Sequence, residues 1–500
     1  MRKKFLLMNS VTSLLSQVAT VVCGLVLSRL ILQYFGSSTN GLVASITQFL
    51  SFISFLEMGI GAVVKSNLYK PLAEGDNEQV SRIIVSCKRF YRNVARILMV
   101  YILLLTATFP LISKSEYGFA YTAMLVVIIA VSQFAQYYFG MPYQLLLNAD
   151  QHTYVFSSIV CITLLANTLL SFILMAAGAG IHLVKLATSI VYVARPLLMK
   201  WYVYRHYDLD ENIVLTEEPI KQKWNGVAQH LSFVVLNNTD IVILTLFSTF
   251  ANVSVYTVYH NVTNGIANLI TTISIGVSAM IGNVLYSESK ERLLKVFSEV
   301  EYFFHITTVV IYTITGLLIV PFATVFTRGI NDTNYYVPLF AIIITCAQAS
   351  YSIRTPYETM VLAAGHYKET QLSAIIEASI NVLVSIILVW KFGLIGVAIG
   401  TLVAMAYRTI YFVLYLRKNI LNRSIFPFVK YAVIDVIQVL LCVGVSYIFP
   451  FDYTELTWLN LILYGIKVAI FVVLICGGFN FVFFKEEVKQ LLSMVKRKKT

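Results

Sequence analysis

Long apolar stretches separated by short polar turns run through the whole chain. Each stretch is about 20 residues or longer, which is the length of a membrane-spanning helix rather than of a barrel strand. Because lipid offers no hydrogen bonds to the backbone, the pattern predicts an all-α polytopic membrane protein with about 14 transmembrane helices. The predicted spans are residues 7–35, 40–66, 90–113, 119–147, 153–177, 180–203, 226–249, 253–286, 299–327, 335–364, 369–390, 393–416, 427–450 and 456–483.

One turn sequence occurs twice and indicates an internal repeat. Residues 141–152 begin with Met-Pro-Tyr and end with His, and residues 355–366 begin with Thr-Pro-Tyr and end with His, at an offset of 214. Arg195 and Arg408 match at an offset of 213, each late in an apolar segment. A repeat of this length predicts two six-helix lobes, followed by two extra helices.

The repeat also sets the predicted domains. Two amphipathic segments, residues 77–89 and 291–303, are predicted to lie as helices on the membrane surface. The predicted domains are an N-lobe at 1–205, a cytoplasmic linker at 206–225, a C-lobe at 226–420, two extra helices at 421–484 and an amphipathic basic cytoplasmic tail at 485–500.

The distribution of basic residues predicts the orientation. The chain is 58% hydrophobic and 12% charged, with a net charge of +12 and a mean hydropathy of +0.77. One alternating set of loops holds nearly all loop Lys and Arg, whereas the other holds only Lys114, Arg328 and Lys391. The positive-inside rule therefore places both termini in the cytoplasm and gives the two lobes the same orientation, as in a parallel repeat. The same rule explains the net charge without a nucleic-acid partner.

Candidate chemistry is sparse outside the spans. The six cysteines have neither disulfide nor metal spacing. The sequence contains no Walker loop, Rossmann fingerprint or nucleophile–base pair, so we predict a transporter rather than an enzyme, with no cofactor and no metal site. Transport is then expected to be driven by a proton or sodium gradient, by the substrate gradient or by a partner protein.

Ionisable residues inside the spans are the informative ones. Such a side chain costs roughly 2.5–3.5 kcal/mol at mid-bilayer, so it usually faces a cavity or a partner. Arg354 and Glu358 lie four residues apart, which is consistent either with a local salt bridge or with a cavity-facing arginine tuned by its neighbour. Asp240 closes a polar patch at residues 237–240 that would either line a cavity or bond neighbouring helices.

Three short patterns resemble a known family. Residues 27–30 (Leu-Ser-Arg-Leu) with Gly36, residues 56–61 (Leu-Glu-Met-Gly-Ile-Gly) and the patch at 238–243 resemble bacterial polysaccharide flippases of the Wzx type. These belong to the multidrug/oligosaccharidyl-lipid/polysaccharide (MOP) exporter superfamily, which also holds MATE exporters and the lipid II flippase MurJ. The resemblance extends over the whole chain through its two six-helix lobes and two extra helices.

The resemblance implies a flippase of the bacterial plasma membrane. It would move an undecaprenyl-pyrophosphate-linked oligosaccharide from the cytoplasmic to the outer leaflet by alternating access, for capsule, O-antigen or exopolysaccharide synthesis. Membrane lipids, a polymerase and glycosyltransferases are the implied partners. The alternatives are lipid II transport and cation-coupled drug export, and the drug exporter would need an acidic cavity. A glycosyltransferase or polymerase is disfavoured, because it would carry a large outer loop.

Arginine suits the pyrophosphate because its planar fork binds phosphate bidentately. On this basis Arg354→Ala is expected to abolish polymer export and Arg354→Lys to retain part of it. The predicted site residues are Arg29, Arg195, Arg354 and Arg408 for substrate, Asp240, Glu358 and Glu57 for coupling or tuning, and Asp435 and Lys467 for the groove of a lipid tail.

Overall fold

The structure, a computed structural model, describes residues 2–57, 60–113, 116–210, 213, 215 and 238–489. The described chain is helical with no strand, and ten of its helices are long and apolar enough to cross a membrane. The predicted fold class is therefore confirmed. The helices are α1 Arg2–Ser51, α2 Ile60–Glu74, α3 Asn77–Ile112, α4 Phe119–Ala135, α5 Met141–Ala149, α6 Thr153–Ala176, α7 Ile181–His206, α8 Asn238–Phe247, α9 Phe250–Ser287, α10 Lys290–Phe326, α11 Pro338–Ala363, α12 Tyr367–Phe392, α13 Leu394–Leu416, α14 Phe426–Ser446 and α15 Trp458–Phe483.

The first two predicted spans form one helix with a break. Gly36 adopts φ 83° and ψ 175°, a conformation essentially restricted to glycine, and it divides α1 where the two predicted spans meet. The prediction of one continuous span at residues 40–66 is wrong. The helix ends at Ser51, a 3₁₀ turn follows over Phe52–Glu57, and α2 begins at Ile60. This interruption brings Glu57 to the end of a turn instead of the middle of a helix.

The two predicted surface helices, 77–89 and 291–303, are also corrected. Each forms the first part of a longer helix, α3 or α10, and continues into the following span. The apolar face that suggested a membrane surface is buried in protein, as Ile83 and Phe297 show at 1% and 0% exposure. At 1.5 Å per residue, α3 and α10 are each about 55 Å long, which exceeds the hydrocarbon thickness of about 30 Å.

The internal repeat is visible in the order of the helices. α3 and α10, α6 and α12, and α7 and α13 begin at residues offset by 213 or 214. The turn before α6 and the turn before α12 share a left-handed residue, which is Gln151 (φ 59°) in the first copy and Gly365 (φ 79°) in the second. The fourth span differs between copies because a π-helical segment, Gln136–Gly140, precedes Pro142 in the first, whereas α11 runs through Pro356.

Two compact units make up the chain: unit 1, residues 1–254, and unit 2, residues 255–500. Unit 1 therefore includes α8 and the start of α9, beyond the linker at 206–225 that was predicted to separate the lobes. Most of that linker and residues 490–500 of the predicted tail lie outside the described residues. Within unit 2, α14 and α15 pack against α10 and each other around Cys442, Val468 and Cys476.

Close packing of α12 and α13 depends on small residues. A Cβ at Gly400 would approach the Ser385 hydroxyl oxygen to 2.1 Å, and a Cβ at Gly396 would approach the Leu388 carbonyl oxygen to 2.4 Å. The four-residue spacing places both glycines on one face, the usual way for membrane helices to approach closely. Glu377 on α12 and Arg408 on α13 are two of the buried charges of unit 2 described below.

The repeated turn holds a titratable pair in unit 1. His152 Nδ1 lies 3.1 Å from an Asp150 carboxylate oxygen, which also accepts a 2.6 Å hydrogen bond from the Tyr207 hydroxyl. The hydrogen bond to Asp150 raises the pKa of His152. Burial acts to raise the pKa of Asp150, but hydrogen bonds from His152 and Tyr207 outweigh it and lower that pKa.

This pair predicts a pH-dependent stability. Because the pKa of His152 is raised in the folded state, its contribution is complete below the unfolded pKa and is lost as the pH rises through the folded pKa. The Asp150 contribution has the opposite sign and is lost only in acid, so the pair stabilises most between roughly pH 4 and 6.5. We expect the thermal unfolding midpoint to fall as the pH rises from 6 to 8, and His152→Asn to reduce that slope.

His366 supplies the matched control, because its Nδ1 faces the Tyr415 hydroxyl at 2.9 Å rather than a carboxylate. The variant His366→Asn is expected to keep the slope of the wild type. An equal slope in wild type and His152→Asn would show that the Asp150 pair contributes nothing.

Candidate substrate cavity and buried charge clusters

A cavity of about 360 Å³ with polar and apolar lining residues opens within unit 1. It is formed where the 3₁₀ turn after α1, the π-helical end of α4 and the middle of α6 and α7 meet. Two of the predicted site residues, Glu57 and Arg195, line it together. The other lining residues are Ser132, Gln133, Gln136, Tyr137, Met141, Phe156, Val160 and Tyr192.

Arg195 is held in the cavity by one hydrogen bond and one ring. Its Nε donates to the Thr163 hydroxyl at 2.6 Å, and its guanidinium lies 3.8 Å from the centroid of the Tyr192 ring. Its Nη2 is buried without a hydrogen-bond partner among the described residues. A buried guanidinium nitrogen in this state costs free energy, and a hydrogen-bond acceptor that reached it would recover part of that cost.

The amide side chains of the cavity keep acceptor and donor groups within reach of a ligand. Gln133 donates to the Leu50 carbonyl oxygen at 3.1 Å, and Gln136 donates to the Gln144 side-chain oxygen at 2.9 Å. Gln133 therefore keeps a second N–H, whereas the Gln136 nitrogen also donates to the Met141 sulfur at 3.7 Å, and both amides keep lone pairs on their side-chain oxygens. Amides, hydroxyls, one guanidinium and one carboxylate line the cavity, and such groups are suited to a hydroxyl-rich, phosphorylated molecule.

The repeat partner of Arg195 has different surroundings in unit 2. Arg408 donates from Nη1 to the Ser373 hydroxyl at 2.9 Å, and its Nε lies 3.7 Å from a Glu377 carboxylate oxygen. Glu377 occupies the position that Thr163 occupies in the first copy, at an offset of 214. The arginine that meets a hydroxyl in unit 1 therefore meets a carboxylate in unit 2.

Glu377 also binds Arg354 and so joins the two arginines of unit 2. Arg354 Nη1 lies 2.5 Å from Glu377, and its Nε lies 3.2 Å from Glu358. The side chains of Arg354, Arg408 and Glu377 are 4%, 3% and 7% exposed, so they form a buried cluster. Arg354 and Arg408 were expected to line an open cavity, but carboxylates from α11 and α12 enclose them here. Their role in substrate binding stays a prediction.

Glu377 can be identified from the sequence as an ionisable residue inside a span but was not among the predicted site residues, and a second network was missed by sequence reasoning. Asp435, predicted for a lipid groove, pairs with His305, whose Nδ1 lies 2.7 Å from the Asp435 carboxylate, and His305 Nε2 lies 3.4 Å from the Tyr357 hydroxyl. Tyr357 donates to Glu301 at 2.6 Å, and Glu301 accepts two hydrogen bonds from Arg423. The network ties α14 to α10 and α11. The signal in the sequence was Glu301 at the otherwise apolar face of residues 293–304.

The remaining predicted residues are dispersed. Lys467 is exposed on α15, as a groove or interface residue would be. Asp240 is buried on α8, where its neighbour Asn238 accepts hydrogen bonds from Gln48 and Ser51 of α1. The patch at 238–240 thus bonds a neighbouring helix, one of its two expected uses. Arg29 lies half-buried on α1, outside the lining of the unit 1 cavity.

Comparison with solved structures identifies the fold. The structure matches the lipid II flippase MurJ in an inward closed conformation with a TM-score of 0.71 and 15% identity, over 96% of this chain and 100% of that chain. The chain has the fold of MurJ and the MATE transporters. The MATE transporter VcmN of Vibrio cholerae matches with a TM-score of 0.59 and 16% identity, over 85% of this chain and 98% of that chain.

A eukaryotic MATE transporter, AtDTX14, matches with a TM-score of 0.56 and 12% identity, over 87% of this chain and 98% of that chain. No protein-family model matches the sequence, and no characterised protein matches it by sequence. The neighbours are flippases and transporters, and the chain is a multi-pass membrane protein like them. At these identities the similarity establishes the fold, and the substrate has to be argued from the cavity.

Proposed function

We propose that the protein is a flippase that moves an undecaprenyl-pyrophosphate-linked oligosaccharide from the cytoplasmic to the outer leaflet of the bacterial plasma membrane. It acts by alternating access, with both termini in the cytoplasm, and it supplies repeat units for a cell-surface polysaccharide. The protein itself performs no bond chemistry in this proposal. A proton or sodium gradient, or the gradient of the substrate itself, drives the transport, and the polymerase and glycosyltransferases of the same polysaccharide are its partners.

The observation that carries the proposal is Arg195 in the 360 Å³ cavity of unit 1. Moving a pyrophosphate through hydrocarbon unaided is prohibitive, because an ionised group loses its hydration there. A guanidinium with one nitrogen lacking a hydrogen bond, beside glutamine and tyrosine side chains, offers both charge and hydrogen bonds to such a head group. Arginine binds phosphate bidentately, which suits this use.

The length of the structural match supports a lipid-linked substrate. The match to MurJ, described as a lipid II flippase, covers 96% of this chain, whereas the matches to VcmN and AtDTX14 cover 85% and 87%. For the same reason, transport of lipid II for peptidoglycan is the second candidate. The cavity of unit 1 carries one carboxylate and one guanidinium, whereas a cation-coupled drug exporter would need a predominantly acidic cavity.

Reconstitution with defined substrates tests the proposal. The purified chain is placed in liposomes with one of three fluorescent probes: an undecaprenyl-pyrophosphate-linked oligosaccharide, lipid II or a cationic dye. Loss of signal to a membrane-impermeant quencher then measures translocation. We expect the first probe to be translocated faster than in protein-free liposomes, and the dye not to be. Translocation of the dye alone would refute the proposal, and translocation of lipid II alone would replace it with the second candidate.

A further inference from the structure

A second, smaller cavity in unit 1 carries three basic residues. It encloses about 80 Å³, well below the ~300–1,000 Å³ of pockets that hold drug-sized ligands. We name it the basic pocket. Its lining residues are Lys88, Arg92, Tyr138, Phe139, Pro142, Tyr143 and Lys200. A cavity of this size would take one phosphate group rather than an oligosaccharide.

The cations of the basic pocket have different surroundings. Lys88 donates to the Tyr204 hydroxyl at 3.3 Å and lies 4.7 Å from the centroid of the Tyr143 ring, so aromatic groups hold it. Lys200 lies 5.5 Å from the centroid of the Tyr204 ring. Arg92 is exposed and makes no hydrogen bond or ion pair with any residue that the structure describes. Arg92 and Lys200 therefore supply positive charge that a bound anion would meet.

The same positions in unit 2 show how the fold neutralises such a site. At an offset of 213, Lys88 corresponds to Glu301 and Arg92 to His305. Glu301 is bonded by Arg423 and His305 is paired with Asp435. Both partners follow the second repeat copy in the chain, next to or on α14. Among the residues that the structure describes between α7 and α8, none forms a helix that corresponds to α14 or α15. In unit 1, no carboxylate among the described residues pairs with Arg92, so its charge is available to a bound anion.

The surroundings of the basic pocket indicate a membrane head-group level. Tyr138 and Phe139 of its lining are 39% and 37% exposed, and Trp201 beside Lys200 is 59% exposed. Beyond Arg96, α3 carries no charged residue, and exposed Val100 and Leu103 continue toward its end at Ile112. Exposed aromatic residues at one end of an apolar band are typical of the membrane–water interface.

We propose that the basic pocket binds the phosphate of an anionic phospholipid in the cytoplasmic leaflet. The positive-inside rule places this end of the helices on the cytoplasmic side. Arg92 and Lys200 contact the phosphate, and the acyl chains lie along the exposed apolar side chains of α3 and α7. Basic pockets between membrane helices on the cytoplasmic side suit lipid head groups. The site is distinct from the Arg195 cavity, and it does not depend on which substrate the protein transports.

The test compares lipids and variants of the full chain in neutral detergent micelles. The thermal unfolding midpoint is followed as phosphatidylglycerol, phosphatidylcholine or inorganic phosphate is added, because a ligand of the folded state raises it. We expect phosphatidylglycerol to raise the midpoint of the wild type and the other two to leave it unchanged. In R92Q/K200Q, half-saturation should require roughly thirtyfold more phosphatidylglycerol, since each basic residue at a leaflet contributes about fivefold.

The matched control is R89Q/R96Q, which removes two exposed cations of α3 that do not line the basic pocket. We expect the phosphatidylglycerol concentration at half-saturation to stay within about threefold of the wild-type value, because salt screens exposed cations that lie outside a defined site. Equal weakening in both double variants would refute the site in favour of general charge attraction, and an equal response to inorganic phosphate would refute a lipid ligand. If R92Q/K200Q does not fold, R92Q alone is expected to require about fivefold more lipid, and a wild-type response would refute the proposal.

Discussion

Replacing Glu377 with alanine is expected to lower the free energy of unfolding by about 3–5 kcal/mol, the usual effect of removing one partner from a buried ion pair. Glu377 is the carboxylate that contacts both Arg354 and Arg408, and all three side chains are less than a tenth exposed. Without it, the contacts of Arg408 among the described residues are the Ser373 hydroxyl and the face of the Phe412 ring. The measurement is the unfolding midpoint of the purified variant in the same detergent as the wild type.

Glu358 provides the control for Glu377. Its side chain is 28% exposed, and Arg354 keeps Glu377 when Glu358 is removed. We expect Glu358→Ala to cost about 1 kcal/mol or less, as exposed pairs do. Replacing Glu377 and Arg408 together by glutamine should be less harmful than Glu377→Ala, because no uncompensated charge remains at that pair. A midpoint for Glu377→Ala equal to that of the wild type would show that the cluster does not hold unit 2 together.

The same burial changes how an Arg354 variant is interpreted. Arg354→Ala would leave Glu377 with a single guanidinium partner, Arg408, at 3.7 Å. Loss of polymer export in that variant would therefore report the stability of unit 2 as well as any contact with substrate. Arg195 is the cleaner probe, because no carboxylate pairs with it in the described structure and its Thr163 partner is neutral.

Helix positions could be predicted from the sequence because lipid imposes one requirement on each span, namely an apolar segment long enough to cross the hydrocarbon. Apolar length gave the ends of α12 to within two residues at each side, as 369–390 against Tyr367–Phe392. The amphipathic segment 77–89 was misassigned for a physical reason. A polar face and an apolar face satisfy a membrane surface and a protein core equally well, and periodicity does not distinguish what covers the apolar face.

The charged residues inside the spans could be predicted from the sequence, but the partner of each one could not. Their charge inside apolar spans identified Arg195, Arg354 and Arg408, since such residues need a partner or a cavity. The partner of two of them, Glu377, lies on the next helix, and no local spacing connects it to Arg354. The repeat held the missing signal, because Thr163 and Glu377 occupy equivalent positions beside equivalent arginines.

Arg195→Ala is expected to slow translocation of an undecaprenyl-pyrophosphate-linked glycan by about 10- to 100-fold, because a hydrogen bond to a charged group contributes about 1.5–3 kcal/mol. Arg195→Lys should fall between this variant and the wild type, since it keeps the charge and loses the planar fork. Arg205→Ala removes an exposed cation from the same helix, outside the cavity, and is expected to transport like the wild type.

The most direct measurement is therefore the initial rate of quencher-detected translocation for these four proteins, reconstituted at equal density in the same liposomes. If the cavity of unit 1 holds the phosphorylated head group, the rates decrease in the order wild type and Arg205→Ala, Arg195→Lys, Arg195→Ala, while the unfolding midpoints stay similar. A wild-type rate for Arg195→Ala at normal stability would contradict the account and move the substrate site away from this cavity.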